Sequence, residues 1–374
     1  VGGAGVAMSF EARRSARLCF SKRMSPFFAE LGQTVAERWQ ALNFAPGSFP
    51  TLARLALEER PPSEHVDLVE LLQEFLSDDL QAPQSQSGFG QPELVVFEHP
   101  RFYIQLLFWL DGTTDIHQHS FSGAFHVLEG SSIHTEFAFL EREPISAHMQ
   151  VGRLERLKTQ LLEKGETVEI VSGKGFIHSL FHLETPSITV VVRTHTDPSS
   201  GPQFTYLPPH LAVDPFQNDS LTLRRKQLLD VLETLGDPSY PALMCEMLEN
   251  LDFERGFFIL QNGMVHLQAS GFWEDAWAVF KAKHGRLADF VRPTLEEILR
   301  RDALVGLRGG VVEVEHRFFL ALILNNLDRR DLLRFVELRY GGEPAETVAR
   351  WQAELEECYE DAAWVLQGAA AILN

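Results

Sequence analysis

Between Glu93 and Leu207 the chain is a series of short runs rich in β-branched and aromatic residues: ELVVFE, RFYIQLLFWL, GAFHVLE, IHTEFAF, ETVEIV and SITVVVRTH. Gly, Pro, Asp and Ser stand between them. Many short strands punctuated by turn residues can bury their apolar faces only as a sandwich or a closed barrel. Both flanks switch to helical spacing. In the first flank Ser63 is placed to cap a helix over HVDLVELLQEFL, with Leu68, Leu71, Leu72, Phe75 and Leu76 on one face. From Asp219 onward, runs such as LRRKQLLDVLETL and HRFFLALILNNL carry spaced apolar residues. Pro344 suits the first turn of the last helix, and Gly341 with Gly342 the end of the one before. The predicted class is α+β: a central antiparallel β-barrel with N-terminal helices and a C-terminal all-helical domain. The predicted boundaries are an N-terminal helical segment over 9–82, a Gln/Ser/Gly/Pro-rich linker over 83–92, a barrel over 93–210 and helices over 219–374.

The formal charge is −19, and no cluster of Lys and Arg offers a face for phosphates. Nucleic acid and anionic membrane are therefore excluded as expected partners. Cys19, Cys245 and Cys358 are odd in number, far apart and in no C-x-x-C pair, which argues for a reducing, cytoplasmic compartment rather than a disulfide framework. No secretory signal or membrane-spanning run is visible, and the opening VGGAGVA before Met8 reads as an expression remnant. The long C-terminal helical region is a candidate surface for a protein partner or a second copy of the chain.

Ten of the fourteen histidines lie between His99 and His210. His117 and His119 stand two apart, so on a strand they share a face and can chelate one ion. His178 follows a Gly-x-Gly turn and can bring a third imidazole from another strand. Three neutral histidines suit Fe, Zn, Cu or Ni alike. His126 differs in parity from His119 and is expected to face outward in a structural role, and His134 is expected to do the same.

The order Gly112, His117, His119, Gly123, Gly130, then Gly173, Gly175 and His178, resembles the two motifs of the cupin superfamily. Over about 93–198 the stretches LLFWLDGTTDIHQHSFSGAFHVLEGSSIHTEFAF and GETVEIVSGKGFIHSLFHLETPSITVVV are most similar to thiol dioxygenases of the cysteine dioxygenase type. The resemblance implies a jelly-roll barrel and a mononuclear Fe(II) site. Most metal cupins have a Glu ligand where Gly123 stands, and thiol dioxygenases lack it. Three neutral ligands leave the full charge on the metal, which favours an anionic thiolate.

Departures from the family are specific. No Arg stands over 93–97, where the cysteine enzymes hold the substrate carboxylate; Arg101 is the nearest. The family's Ser-x-His-x-Tyr run aligns with Thr189, Val191 and Arg193, or, after a slip of two residues, offers Arg193 and His195 for its last two members. Free cysteine is thus disfavoured as substrate. Arg193 is expected either to clamp an anionic group or to pair with a protein carboxylate. His195 or His182 is expected to handle protons as acid or base, with a place beside the metal or a structural role as the other readings of His182. Tyr103, Gln105, Leu107 and Trp109 share one strand face, and by resemblance Trp109 lines the site, with Tyr103 and Arg101 as further pocket candidates. The expected function is a non-haem iron oxidoreductase taking O₂ and a small anionic substrate, a thiol among the candidates. A cupin isomerase, lyase or hydroxylase and a non-catalytic assembly protein are the alternatives.

Overall fold

The computed structural model describes residues 26–77, 83–84, 90–110, 114–197, 200–217, 219–325, 328–369 and 373. The helical reading of 9–25, Cys19, Leu80, Gly112, Pro198 and the 85–89 part of the linker lie outside the described residues.

Among the described residues four helices come first: α1 (Pro26–Ala41), α2 (Phe49–Glu59), α3 (Pro62–His65) and α4 (Leu68–Ser77). The helix expected to run on from Ser63 breaks at Val66–Asp67. Asp67 Oδ1 accepts the Glu70 N–H at 2.9 Å and opens α4, while the Ser63 hydroxyl lies 2.9 Å from His126 Nε2 on the barrel. A side chain that reaches the barrel this way cannot also cap its own helix. Leu71 of the expected apolar face is buried, whereas Leu76 is exposed.

Eleven strands follow: β1 (Glu93–His99), β2 (Phe102–Trp109), β3 (His117–His119), β4 (Gly123–Glu129), β5 (Ser132–Pro144), β6 (Met149–Leu162), β7 (Thr167–Ile170), β8 (Gly173–His182), β9 (Ser187–Thr194), β10 (Thr205–Leu207) and β11 (Leu211–Val213). One sheet has the order β1-β2-β9-β4-β7. The other strands close on themselves in the order β10-β11-β6-β5-β8-β3, with Thr205 of β10 opposite His117 of β3. Every strand pairing is antiparallel. The expected class, α+β around a central antiparallel barrel, is the one found.

The central strands β2 and β9 are apolar on both faces because both are covered. Phe102, Ile104, Leu106, Phe108, Val190 and Val192 pack against Phe28, Leu31, Trp39, Phe49 and Leu57 of the N-terminal helices. The alternate residues Gln105, Leu107, Trp109, Thr189 and Val191 face an internal chamber. The N-terminal helices thus back the five-stranded sheet from outside.

The sequence of β6, MQVGRLERLKTQLL, does not read as a strand. Its Leu, Arg, Lys and Gln favour helix, yet it pairs with β5 from Ser132↔Leu162 to Pro144↔Gln150. Strand preference is set by neighbours more than by intrinsic bias.

The C-terminal helices are α5 (Ser220–Leu235), α6 (Tyr240–Asn250), α7 (Phe253–Ser270), α8 (Trp273–His284), α9 (Val291–Gly310), α10 (Val314–Leu324), α11 (Arg329–Tyr340), α12 (Pro344–Cys358) and α13 (Ala362–Gln367). Their earlier members share a core with Met149, Val151, Leu211 and Val213 of β6 and β11. The later ones share another with Ile133 of β5, Phe181 of β8 and Leu183 just after it. Arginines fasten this second contact. Arg308 donates to the His182 carbonyl at 3.0 Å, Arg317 to the Thr185 hydroxyl at 2.5 Å, and Arg339 to Glu184 at 3.1 Å. The helical region therefore has the chain's own barrel as a partner. No helix among the described residues is long and apolar enough to cross a membrane.

Candidate metal centre

β3 and β8 are neighbours in the closed sheet, and His117 lies directly opposite His178. An irregularity between Gln118 and His119 shifts the register. Among the described residues the three imidazoles, His117, His119 and His178, form a cluster whose ligand atoms all lie within 4.8 Å of one another. His119 Nε2 and His178 Nε2 are 2.9 Å apart. His117 Nδ1 donates to the Asp115 carbonyl at 2.7 Å, which leaves Nε2 with the lone pair. All three side chains are buried. Burial, with the other histidines and Arg193 adding repulsion, holds His119 and His178 well below the ordinary imidazole range, and burial lowers His117 too. Neutral imidazoles are the form that binds a metal.

The set fits a transition ion. The three imidazoles would hold it through nitrogens gathered within 4.8 Å of one another, two of them 2.9 Å apart. Among the described residues no carboxylate joins the cluster, and at Gly123 the backbone leaves no room for one. A Cβ at Gly123 would lie 2.0 Å from the Val192 carbonyl oxygen and 2.9 Å from Arg193 Cα. The position where most metal cupins carry Glu therefore has no room for any side chain. Gly123→Ala is expected to force β4 away from β9 and to cost about 1–3 kcal/mol, read as a lower urea midpoint with an unchanged slope.

The chamber lies between the two sheets. Leu107, Trp109, Phe121, Phe125, Ile170, Leu180 and Val191 form its apolar wall, and Gln105, Thr114 and Thr189 its polar points. Its free volume is about 30 Å³, room for a water molecule or two. Thr114 is committed to Leu180, whose N–H donates to its hydroxyl at 2.7 Å. The Gln105 amide and the Thr189 hydroxyl come from adjacent strands of the facing sheet.

The other candidates spread along this axis. Arg193 is held at one end, its guanidinium 3.4 Å from the Phe121 ring centroid and 5.1 Å from that of Tyr103. Phe121 in turn packs on His119, with ring centroids 4.5 Å apart, and separates Arg193 from the histidines. Arg193 Nε donates to the Thr194 carbonyl at 3.4 Å, and burial pulls its pKa down against the opposing pull of Tyr103 and Glu93. His195 is exposed, packs on Tyr103 and meets the His99 carbonyl at 3.3 Å. His182 is buried, stacked on Trp109 with centroids 4.8 Å apart, its Nδ1 2.9 Å from the Ser132 hydroxyl. Arg101 is not brought to the chamber: it is exposed in the β1–β2 turn with its guanidinium over Phe44. His126 faces outward, between the Thr167 and Ser63 hydroxyls, as its parity requires.

His134 departs from expectation. It points inward and its Nε2 lies 3.0 Å from His178 Nδ1. Apolar residues at Ile133, Phe137 and Phe139 suggest that the odd face of β5 is the inner one. Ile133 is instead covered by the C-terminal helices, and a bulge between Glu136 and Phe137 resets the pattern. A second core outside the barrel made the alternation point the wrong way.

No family model matches the chain, and no curated protein matches it. Among solved structures it is similar to a cupin-2 domain protein from Shewanella frigidimarina, at 17% identity over 35% of this chain and 94% of that one, with a TM-score of 0.21. It is also similar to KdgF from a Halomonas species, at 14% identity over 31% of this chain and 89% of that one, with a TM-score of 0.22. A third is hydroquinone 1,2-dioxygenase from a Sphingomonas species with 4-hydroxybenzoate bound, at 10% identity over 29% of this chain and 67% of that one, with a TM-score of 0.22. Likenesses this slight carry no weight, and the reading of the centre rests on the strands and histidines of this chain.

Proposed function

We propose that the chain is a mononuclear non-haem iron cupin, an oxidoreductase of the thiol-dioxygenase type that combines O₂ with a small substrate. The observation that carries the reading is the convergence of three buried, neutral imidazoles with no carboxylate among them. Bound ferrous iron would supply an undiminished positive charge and open positions for a thiolate and for O₂. The chain's own residues do the rest. Trp109, Leu107, Phe125, Leu180 and Val191 exclude water, which strengthens every polar contact inside. Gln105 and Thr189 offer a hydrogen-bond donor and acceptors across from the histidines and can orient a polar group of the substrate. Arg193 can hold an anionic end that reaches past Phe121. The described N-terminal helices pack on the outer face of the facing sheet rather than over the chamber, and a chamber of about 30 Å³ must widen to admit even a compact substrate. That disfavours a larger-substrate cupin activity.

The test is oxygen consumption by metal-free protein reloaded with Fe(II), screened against small thiols. Uptake is expected only with Fe(II) and thiol together, and His178→Ala should abolish it. Iron bound without any thiol-dependent uptake would overturn the thiol-dioxygenase reading. The burial of all three histidines favours one competing view, a barrel held together by metal without turnover; it predicts a higher melting temperature on loading and no substrate for the iron.

A further inference from the structure

β5 and β8 run antiparallel, with Ser132 opposite His182 and Glu136 opposite His178. Ser132, His134 and Glu136 alternate along β5 and share a face. His134 lies between the two pairs. Its Nε2 is 3.0 Å from His178 Nδ1, and its Nδ1 is 3.3 Å from the Gln160 side-chain amide on β6 and 4.0 Å from a Glu136 carboxylate oxygen. The ring has no exposed surface.

Proton positions along this line follow from one another. His178 directs Nε2 at His119, so as a ligand it must carry its proton on Nδ1 and needs an acceptor there. The atom in place to accept is His134 Nε2. A neutral His134 that accepts at Nε2 carries its own proton on Nδ1, facing Gln160 and Glu136. The structure sets Gln160 Nε2 toward His134 Nδ1; this tautomer needs the amide turned end for end so that its oxygen accepts, an assignment that the hydrogen-bond pattern decides. We propose that His134 is a positioning residue for the metal centre: it accepts the His178 proton and fixes the ring and tautomer that present Nε2 to the ion, while Gln160 and Glu136 hold His134 from outside. This rests on the metal reading above and adds to it the residue that sets how tightly the ion is held.

Outer partners of ligating histidines are worth about 10–100-fold in metal affinity. The experiment titrates Co(II) into metal-free wild type, His134→Phe, His134→Gln and Gln160→Leu, reading the visible absorption of bound Co(II), with melting of each metal-free protein as the fold control. His134→Phe keeps the ring volume without an acceptor and should weaken Co(II) binding about 10–100-fold and change the absorption band. His134→Gln can place an amide oxygen where Nε2 stands and should restore most of the affinity and the wild-type band. Gln160→Leu should weaken binding in the same direction by less. Wild-type affinity in His134→Phe, or a His134→Gln as weak as the Phe variant, would overturn the proposal. If His134→Phe fails to fold, an unchanged affinity in Gln160→Leu overturns it instead. A wild type that takes up no Co(II) at all would refute the metal reading itself, a separate outcome.

Discussion

Replacing His178 by alanine is expected to remove metal binding at micromolar concentrations, and His117→Ala or His119→Ala to weaken it at least about a hundredfold. The size follows from the ligand set. A four-ligand structural zinc site is worth about 10–16 kcal/mol, so one ligand carries roughly 2.5–4 kcal/mol, on the order of a hundredfold or more in affinity. His178 should be the worst position to lose. It meets His119 at 2.9 Å on one side and His134 at 3.0 Å on the other, so its removal breaks both contacts. Gly123 has no side chain to offer in place of a missing ligand. The check is isothermal titration of Fe(II) under anaerobic conditions, beside circular dichroism to show that each variant folds. A variant that holds iron as tightly as wild type would remove that histidine from the centre.

Metal-free protein is expected to lose stability steeply as the pH falls below about 6.5. His126 and His182 sit in the fold with no exposed surface or nearly none, and burial pushes them down to about 4 and about 3. Each is lowered relative to the unfolded chain, so the unfolded state binds protons first. The stability they contribute is complete above about pH 6.5 and is lost as the pH falls towards the folded values. At pH 5 each costs about 2 kcal/mol, and together about 4 kcal/mol, a large share of the 5–15 kcal/mol that holds a typical domain. The groups facing them explain the shifts. His126 meets the Ser63 and Thr167 hydroxyls and the Ser63 backbone N–H. His182 meets Ser132 and the Trp109 ring, and the Arg308 charge opposes its protonation. Urea midpoints at pH 7.5, 6 and 5 test this. His126→Gln should flatten the dependence, and a midpoint constant from pH 7.5 to 5 would contradict the expectation.

The barrel and the gathering of His117, His119 and His178 were legible because much of each is encoded locally. β-Branched runs separated by turn residues mark the strands, and His117-x-His119 places two donors on one face by strand periodicity alone. What was not legible depends on partners distant in the chain. β6 becomes a strand only because β5 lies beside it. His134 turns inward because helices far downstream cover Ile133 on the other face of β5. Arg193 shares the inner face of β9, yet nothing in SITVVVRTH tells that Phe121 will stand between it and His119. The break at Val66–Asp67 likewise follows from the attachment of Ser63 to His126, a contact across 63 residues. Periodicity assigns a side chain to a face; which face becomes the core is settled by the layers that fold over it.

The central claim is that His117, His119 and His178 hold one metal ion. Elemental analysis of protein purified without a metal-affinity tag, beside the His117→Ala variant, tests it most directly. The account predicts about one iron per chain in wild type and a large loss in the variant. Wild-type protein that carries no metal, and takes up none when offered Fe(II), Zn(II), Ni(II) or Cu(II), would contradict it.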